Sequence, residues 1–163
     1  MLPYFSRTRE FNICVCENRN AETQEFKYNC AKGYINKIKF NKDSCGGNKI
    51  KVMTSKGGEE ESEWLGLSRR DAAQEWTDIP KRLKKIRIRW GNSGGCWVCK
   101  AEFIGRDETK MSNDMNQNWG DWVETELKNG ECLMGFEILS FTDADGYGYK
   151  NFKSLKFIIG PQR

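Results

Sequence analysis

Apolar and polar residues alternate along most of this chain. The runs are Phe11-Asn12-Ile13-Cys14-Val15-Cys16, Tyr34-Ile35-Asn36-Lys37-Ile38-Lys39-Phe40, Lys49-Ile50-Lys51-Val52-Met53 and a stretch over 83–90 in which Ile86, Ile88 and Trp90 interleave with Lys85, Arg87 and Arg89. Similar runs cover 97–104, 132–141 and 152–159. A period of two places successive side chains on opposite faces, so each run predicts a half-buried β-strand. Gly- and Asn-containing turns separate the runs, and the whole pattern predicts an all-β protein. Residues 17–25 read as a polar connection. Ser68-Arg69-Arg70-Asp71 has a capping-box pattern, and with Ala72-Ala73-Gln74-Glu75 it predicts a helical turn or two before Pro80.

One apolar spacing recurs at intervals of about 50 residues: Ile35-x-x-Ile38-x-Phe40, Leu83-x-x-Ile86-x-Ile88 and Leu133-x-x-Phe136-x-Ile138. A Gly-containing turn follows each copy, at Cys45-Gly46-Gly47, Gly94-Gly95 and Asp145-Gly146-Tyr147-Gly148, and another apolar strand follows each turn. Trp76 and the Trp119-Gly120-Asp121-Trp122 run precede the second and third copies. Three divergent units, none able to cover its own apolar face, are expected to close around a shared core. Residues 1–163 then form one domain, with repeat-like units near 26–58, 76–105 and 119–160. Periodicity allows two architectures, a three-sheet β-prism with pseudo-threefold internal repeats or a β-trefoil. The predicted core holds Ile38, Phe40, Ile86, Ile88, Phe136, Ile138, Leu155 and Phe157.

Composition removes several classes of chemistry. The chain has no histidine, which excludes Ser-His-Asp and Cys-His catalysis and histidine metal sites. No apolar run approaches the roughly 18–20 residues of a membrane span. The net charge of +4 is mild. Lys81, Arg82, Lys84, Lys85, Arg87 and Arg89 could form a basic ribbon along phosphates, but an outward sheet face looks the same, and nucleic acid is not the expected partner. Seven cysteines, an odd number, allow at most three bridges and tilt the chain toward an oxidising compartment. Cys96-Trp97-Val98-Cys99 has no second pair at zinc spacing, so it reads as a strand pair. No metal or cofactor is expected.

Trp119-Gly120-Asp121-Trp122, then Cys132-Leu133-Met134-Gly135-Phe136-Glu137-Ile138, then Phe152-Lys153-Ser154-Leu155-Lys156-Phe157 resembles one repeat of the vitelline membrane outer layer protein family. Arg7-Thr8-Arg9-Glu10-Phe11 also resembles the start of the mature family protein, and Asp143-Ala144-Asp145-Gly146 stands where the family has its acidic turn. The resemblance implies a β-prism of three four-stranded sheets. It also implies an extracellular coat or secretion, whose glycan or glycoprotein components would be the partners. The first residues, 1–7, show no secretory leader pattern, so a cytoplasmic location is the alternative.

Sugars offer C–H faces that pack on aromatic rings and hydroxyls that bond to carboxylates and amides. Two clusters carry that combination: Trp119, Asp121 and Trp122, and the Gly-rich loop with Asp143, Asp145, Tyr147 and Tyr149. The bland alternatives are core wedges for the tryptophans and a plain turn for the loop. Asp143-x-Asp145-Gly146 is incomplete as a calcium loop, because Tyr147 takes a ligand position and no glutamate closes it. The expected function is a non-enzymatic structural or glycan-binding protein. An oligosaccharide-acting enzyme using paired carboxylates, or a domain docking on other proteins through its sheet faces, are the alternatives.

Overall fold

The computed structural model describes residues 7–16, 22–42, 47–55, 61–67, 75–92, 96–115, 119–142 and 150–162. Among them there is no helix, hence none long and apolar enough to cross a membrane, and the structure is built of antiparallel strands. The helical turn expected over 68–75 falls almost wholly outside the described residues.

The strands form three groups of four. The first sheet contains β3 (Ile35–Phe40), β4 (Lys49–Thr54), β5 (Leu65–Gly66) and β6 (Thr77–Asp78), in the order β5-β4-β3-β6. The second contains β7 (Leu83–Asn92), β8 (Cys96–Gly105), β9 (Lys110–Asp114) and β10 (Asp121–Glu126), with β9 on β8 and β10 on β7. The third joins the two ends of the chain: β1 (Arg9–Val15) pairs with β12 (Lys150–Pro161), and β2 (Glu22–Asn29) pairs with β11 (Glu131–Thr142). Each sheet is therefore a central hairpin with one flanking strand on each side. This is the β-prism, and its three central hairpins carry the three copies of the apolar repeat.

The repeat spacing has a structural cause. Strict alternation would put the first and second apolar residues of Ile35-x-x-Ile38 on opposite faces. A β-bulge removes the conflict by adding one residue between them. The ladder slips between Ile35 and Lys37 in β3, between Leu83 and Lys85 in β7, and between Leu133 and Gly135 in β11. The slip occurs at the same place in all three copies. Ile35, Leu83 and Leu133 thus turn inward together with Ile38, Ile86 and Phe136.

All eight residues expected in the core are buried. Phe157 lies at its centre, edge-on to Phe136 at 4.9 Å and to Phe11 at 6.1 Å between ring centroids.

Two expectations are corrected. The tryptophan-led strands pair backward: Thr77 of β6 lies opposite Ile38 and Thr125 of β10 opposite Ile86, so each belongs to the sheet of the preceding hairpin. A flanking strand can reach its own hairpin through a local connection, which places the sheet borders near residues 80 and 130. The polar run over 17–25 contains the start of a strand, β2, whose side chains are mostly exposed. Cys14, Cys16, Cys30, Cys96, Cys99 and Cys132 are all buried, with Cys45 outside the described residues. They are distributed over several strands as small apolar packing units. A hydrogen bond with Cys96, reinforced by burial, pushes the Cys14 thiol far up, and burial together with nearby Cys30 raises Cys132. Neither thiol has thiolate character.

Arg9 fastens the first strand to its surroundings. Its guanidinium donates to Glu131 Oε2 at 3.1 Å and Oε1 at 3.2 Å, to Thr125 Oγ1 at 3.1 Å and to the Glu126 carbonyl at 2.7 Å. Burial pushes the Glu131 carboxyl up, but the Arg9 hydrogen bond and the Lys128 amide outweigh it, and the group is held below its usual value.

Two measurements test this packing. Ile86→Ala lowers the unfolding free energy by about 2–5 kcal/mol in a denaturant titration, because Ile86 is fully enclosed. A midpoint equal to wild type would contradict the register. Glu131→Gln costs about 1 kcal/mol at pH 7, since the pair is half exposed. A carboxyl with a lowered folded pKa stabilises in full above the usual glutamate value of 4.5 and loses that contribution as the pH falls below it. The two proteins therefore converge in stability as the pH falls below the usual glutamate value, and a pH-independent gap would contradict the charged pair.

Candidate functional site

The central hairpins β3–β4, β7–β8 and β11–β12 bring the strand ends that flank residues 43–46, 93–95 and 143–149 together at one end of the prism, and those three connections lie outside the described residues. Asp143, Asp145, Tyr147 and Tyr149 belong to the last of these connections and lie outside the described residues. The residues just beneath the three connections are tied to one another. Gly47 and Val98 exchange two backbone hydrogen bonds of 2.8 Å, joining the first hairpin to the second. Cys96 pairs with Phe152, joining the second to the third. Asn48 Nδ2 donates to Asn151 Oδ1 at 3.5 Å, joining the third to the first.

Asn41 organises the polar part of this ring. Its Oδ1 accepts from the backbone N–H groups of Asn48 at 2.9 Å and Lys49 at 2.8 Å, and its Nδ2 donates to Asn48 Oδ1. Asn41, Asn48 and Asn151 are all buried, so their satisfaction inside the fold is what makes this arrangement tolerable.

The second hairpin carries an aromatic ledge at the same end. Gly91 and Trp97 are cross-strand partners next to the 93–95 connection. Trp119 lies over Gly91, where a Cβ would come within 2.6 Å of its ring, and stands edge-on to Trp97 at 5.5 Å. Gly120 then turns the chain into β10 with φ of +119°, a left-handed conformation that brings it against the Trp90 carbonyl. Trp119 is 42% exposed and Trp122 36% exposed. The core-wedge reading of these two tryptophans is therefore corrected: they lead into and sit on an edge strand, and the prism interior is filled by the hairpin residues instead. Asp121, opposite Trp90, is also exposed.

Trp122 belongs to a different environment from Trp119. It faces the outer surface of the second sheet, with the Arg87 guanidinium 4.4 Å and that of Arg89 5.9 Å from its ring centroid. Lys85, Arg87 and Arg89 share this face, as alternation requires. Carboxylates occupy the charge: Lys85 pairs with Glu124 at 3.1 Å, and Arg87 pairs with Glu102 at 2.8 Å and Glu124 at 3.5 Å. Glu102, with a side chain only 4% exposed, also receives Lys110 at 3.3 Å. A phosphate backbone would have to displace these carboxylates from Lys85 and Arg87.

Asp107, like Glu131, is held below its usual value, here by the Thr109 amide, and so is ionised at neutral pH. A general acid needs the opposite shift.

Sequence reasoning identified Trp119 and Asp121 but missed their supports. Gly91 and Trp97 carry the ledge, and the Trp90-Gly91 dipeptide was the available signal, since a glycine inside a strand marks close approach of another group.

No family model and no curated protein sequence matches this chain. Solved structures do. A prostate-specific WGA16 glycoprotein lectin superposes with a TM-score of 0.65 at 15% identity, covering 91% of this chain and 99% of that one. Calystegia sepium agglutinin gives 0.59 at 14% identity, covering 94% and 98%, and its lectin has also been solved with a biantennary N-glycan. The second β-prism domain of RbmC from V. cholerae, bound to N-acetylglucosaminyl-β-1,2-mannose, gives 0.51 at 10% identity, covering 91% and 96%. These likenesses establish the shared β-prism fold.

The ledge makes its own prediction. Gly91→Ala places a methyl group inside the Trp119 ring contact and separates it from Trp97. The near-UV circular dichroism arising from the Trp97–Trp119 pair is then lost while the far-UV spectrum is kept. An unchanged near-UV spectrum would show that Trp119 does not sit over Gly91.

Proposed function

We propose that residues 1–163 form one non-enzymatic glycan-binding module, whose site lies at the hairpin-turn end of the prism. The observation that carries this reading is Trp119, an exposed indole fixed edge-on to Trp97 over a glycine, with exposed Asp121 two residues on. A fixed aromatic face beside a carboxylate is the combination that packs a sugar ring and bonds its hydroxyls, at low entropic cost because the ring is already placed. The lectin neighbours support the reading, since several are solved with, or named for, mannose-containing ligands. Asp143, Asp145, Tyr147 and Tyr149, on the connection between β11 and β12, would extend the site from the third hairpin. Within this reading the chain is related to the vitelline membrane outer layer proteins and acts in an extracellular coat or secretion on glycan or glycoprotein partners.

A glycan array followed by titration tests the site. One glycan class binds saturably, and no product appears on prolonged incubation. Trp119→Ala weakens that binding at least about tenfold, equivalent to about 1.4 kcal/mol, with an unchanged melting midpoint. Retention of full affinity in Trp119→Ala would move the site away from the ledge. Absence of binding across mannose, galactose, N-acetylglucosamine and sulfated classes would remove the reading altogether.

A further inference from the structure

The first strand carries a bulge that the threefold repeat does not explain. Its ladder with β12 slips between Asn12 and Cys14, so Ile13 is the extra residue. Strict alternation from Phe11 and Ile13 would turn Cys14 outward and Val15 inward. The bulge reverses this: Ile13 and Cys14 are both buried, and Val15 is left 61% exposed. A β-branched apolar side chain is thus given to solvent while a cysteine is taken into the core. Apolar burial alone favours the opposite choice, because valine has more hydrocarbon to bury. Position 14 is therefore arranged for its sulfur.

That sulfur faces Cys96. β11 occupies one edge of β12 along its length, and β1 and β8 follow one another along the other edge. Val15 pairs with Ser154, the Cys16 amide donates to the Lys153 carbonyl at 2.7 Å, and Cys96 pairs with Phe152. The end of the first strand thus meets the start of the eighth, and the Cys14 and Cys96 thiols are hydrogen-bonded to each other. Both side chains are enclosed in the core. A disulfide requires two cysteines on neighbouring backbone segments with their side chains turned toward each other, which is the arrangement here.

We propose that Cys14 and Cys96 form a disulfide that clamps the first strand to the second sheet. Arg9 holds the other end of that strand, so the bond completes its fastening. Cys96 immediately precedes Trp97, and the bond therefore also anchors the strand end that receives Trp119. The clamp does not depend on the glycan-binding reading. Its formation precedes docking of β1, because in the closed fold the Cys96 hydrogen bond and burial keep the Cys14 thiol protonated. With β1 undocked, one cysteine thiolate attacks a low-molecular-weight disulfide such as oxidised glutathione and displaces one glutathione thiolate. The second cysteine thiolate then attacks the mixed disulfide at the protein sulfur and displaces the other. Two protein thiols are oxidised, one external disulfide is reduced, and the two thiol protons end on the two glutathione molecules released.

Peptide mapping of the intact chain tests the pairing. The protein is refolded in mixed oxidised and reduced glutathione, its remaining thiols are blocked, and it is cleaved with trypsin without reduction. Cleavage after Arg9, Arg19, Arg89 and Lys100 releases residues 10–19, with Cys14 and Cys16, and residues 90–100, with Cys96 and Cys99. The expected product is these two peptides joined, with fragmentation placing the bond at Cys14 and Cys96. Cys16→Ala keeps that product and Cys14→Ala abolishes it. The oxidised protein melts about 5–15 °C above its reduced form, and Cys14→Ala loses this increment. Recovery of the two peptides separately would overturn the disulfide, and so would a bond at Cys16 or Cys99. Fragmentation of the unsubstituted protein decides this even where Cys14→Ala does not fold. A joined product with equal melting midpoints in the two redox states would overturn the clamp.

Discussion

The structure depends on β12 being hydrogen-bonded along both edges. β11 pairs with it from Glu131↔Pro161 to Thr142↔Lys150, and β1 pairs with its other side from Arg9↔Ile159 to Val15↔Ser154. Its turn-end residue Phe152 reaches β8 at Cys96. One strand thus links the beginning of the chain, the end of the chain and the second sheet. The first two sheets assemble from contiguous segments, but the third needs partners more than a hundred residues apart. Its closure carries the largest loop entropy in the fold, and contacts of this separation form late and slowly. The multidentate position of Arg9, bridging β1 to β10 and β11, is where side-chain chemistry reinforces that closure.

Burial explains which elements could be read from the sequence. The hairpin strands are enclosed on one face, so their alternation is strong, and the recurrent Ile-x-x-Ile-x-Phe spacing held the fold in compressed form. The bulges at Asn36, Lys84 and Met134 account for its departure from strict alternation. The flanking strands were harder. β2, β9 and β10 lie at sheet edges, where outward side chains are polar and few inward ones are needed. Charged edge strands avoid pairing with other chains, and the same charge hides them from a hydrophobic pattern. β5 and β6 are two residues each, too short for any period.

The candidate site was legible only as composition. Trp119 and Asp121 stood out as an aromatic beside a carboxylate, but their exposure follows from tertiary placement that no local pattern encodes. Trp97 illustrates the limit. Within Cys96-Trp97-Val98-Cys99 it drew attention as part of a cysteine pair, whereas its role is to receive the edge of Trp119 across the second hairpin.

Threefold construction separates the parts of this molecule that must agree from those free to differ. The three hairpins share bulge position, inward residues and the direction in which they turn, because a prism with one mismatched face would leave its core open. At the hairpin tips that requirement ends. The first tip rests on an asparagine cluster, the second presents a tryptophan ledge, and the third runs through an acidic, tyrosine-containing connection. The borders between sheets are similarly unconstrained. In the proposed glycan-binding reading, recognition would therefore be written where the symmetry is broken, on a base that the symmetry holds in common.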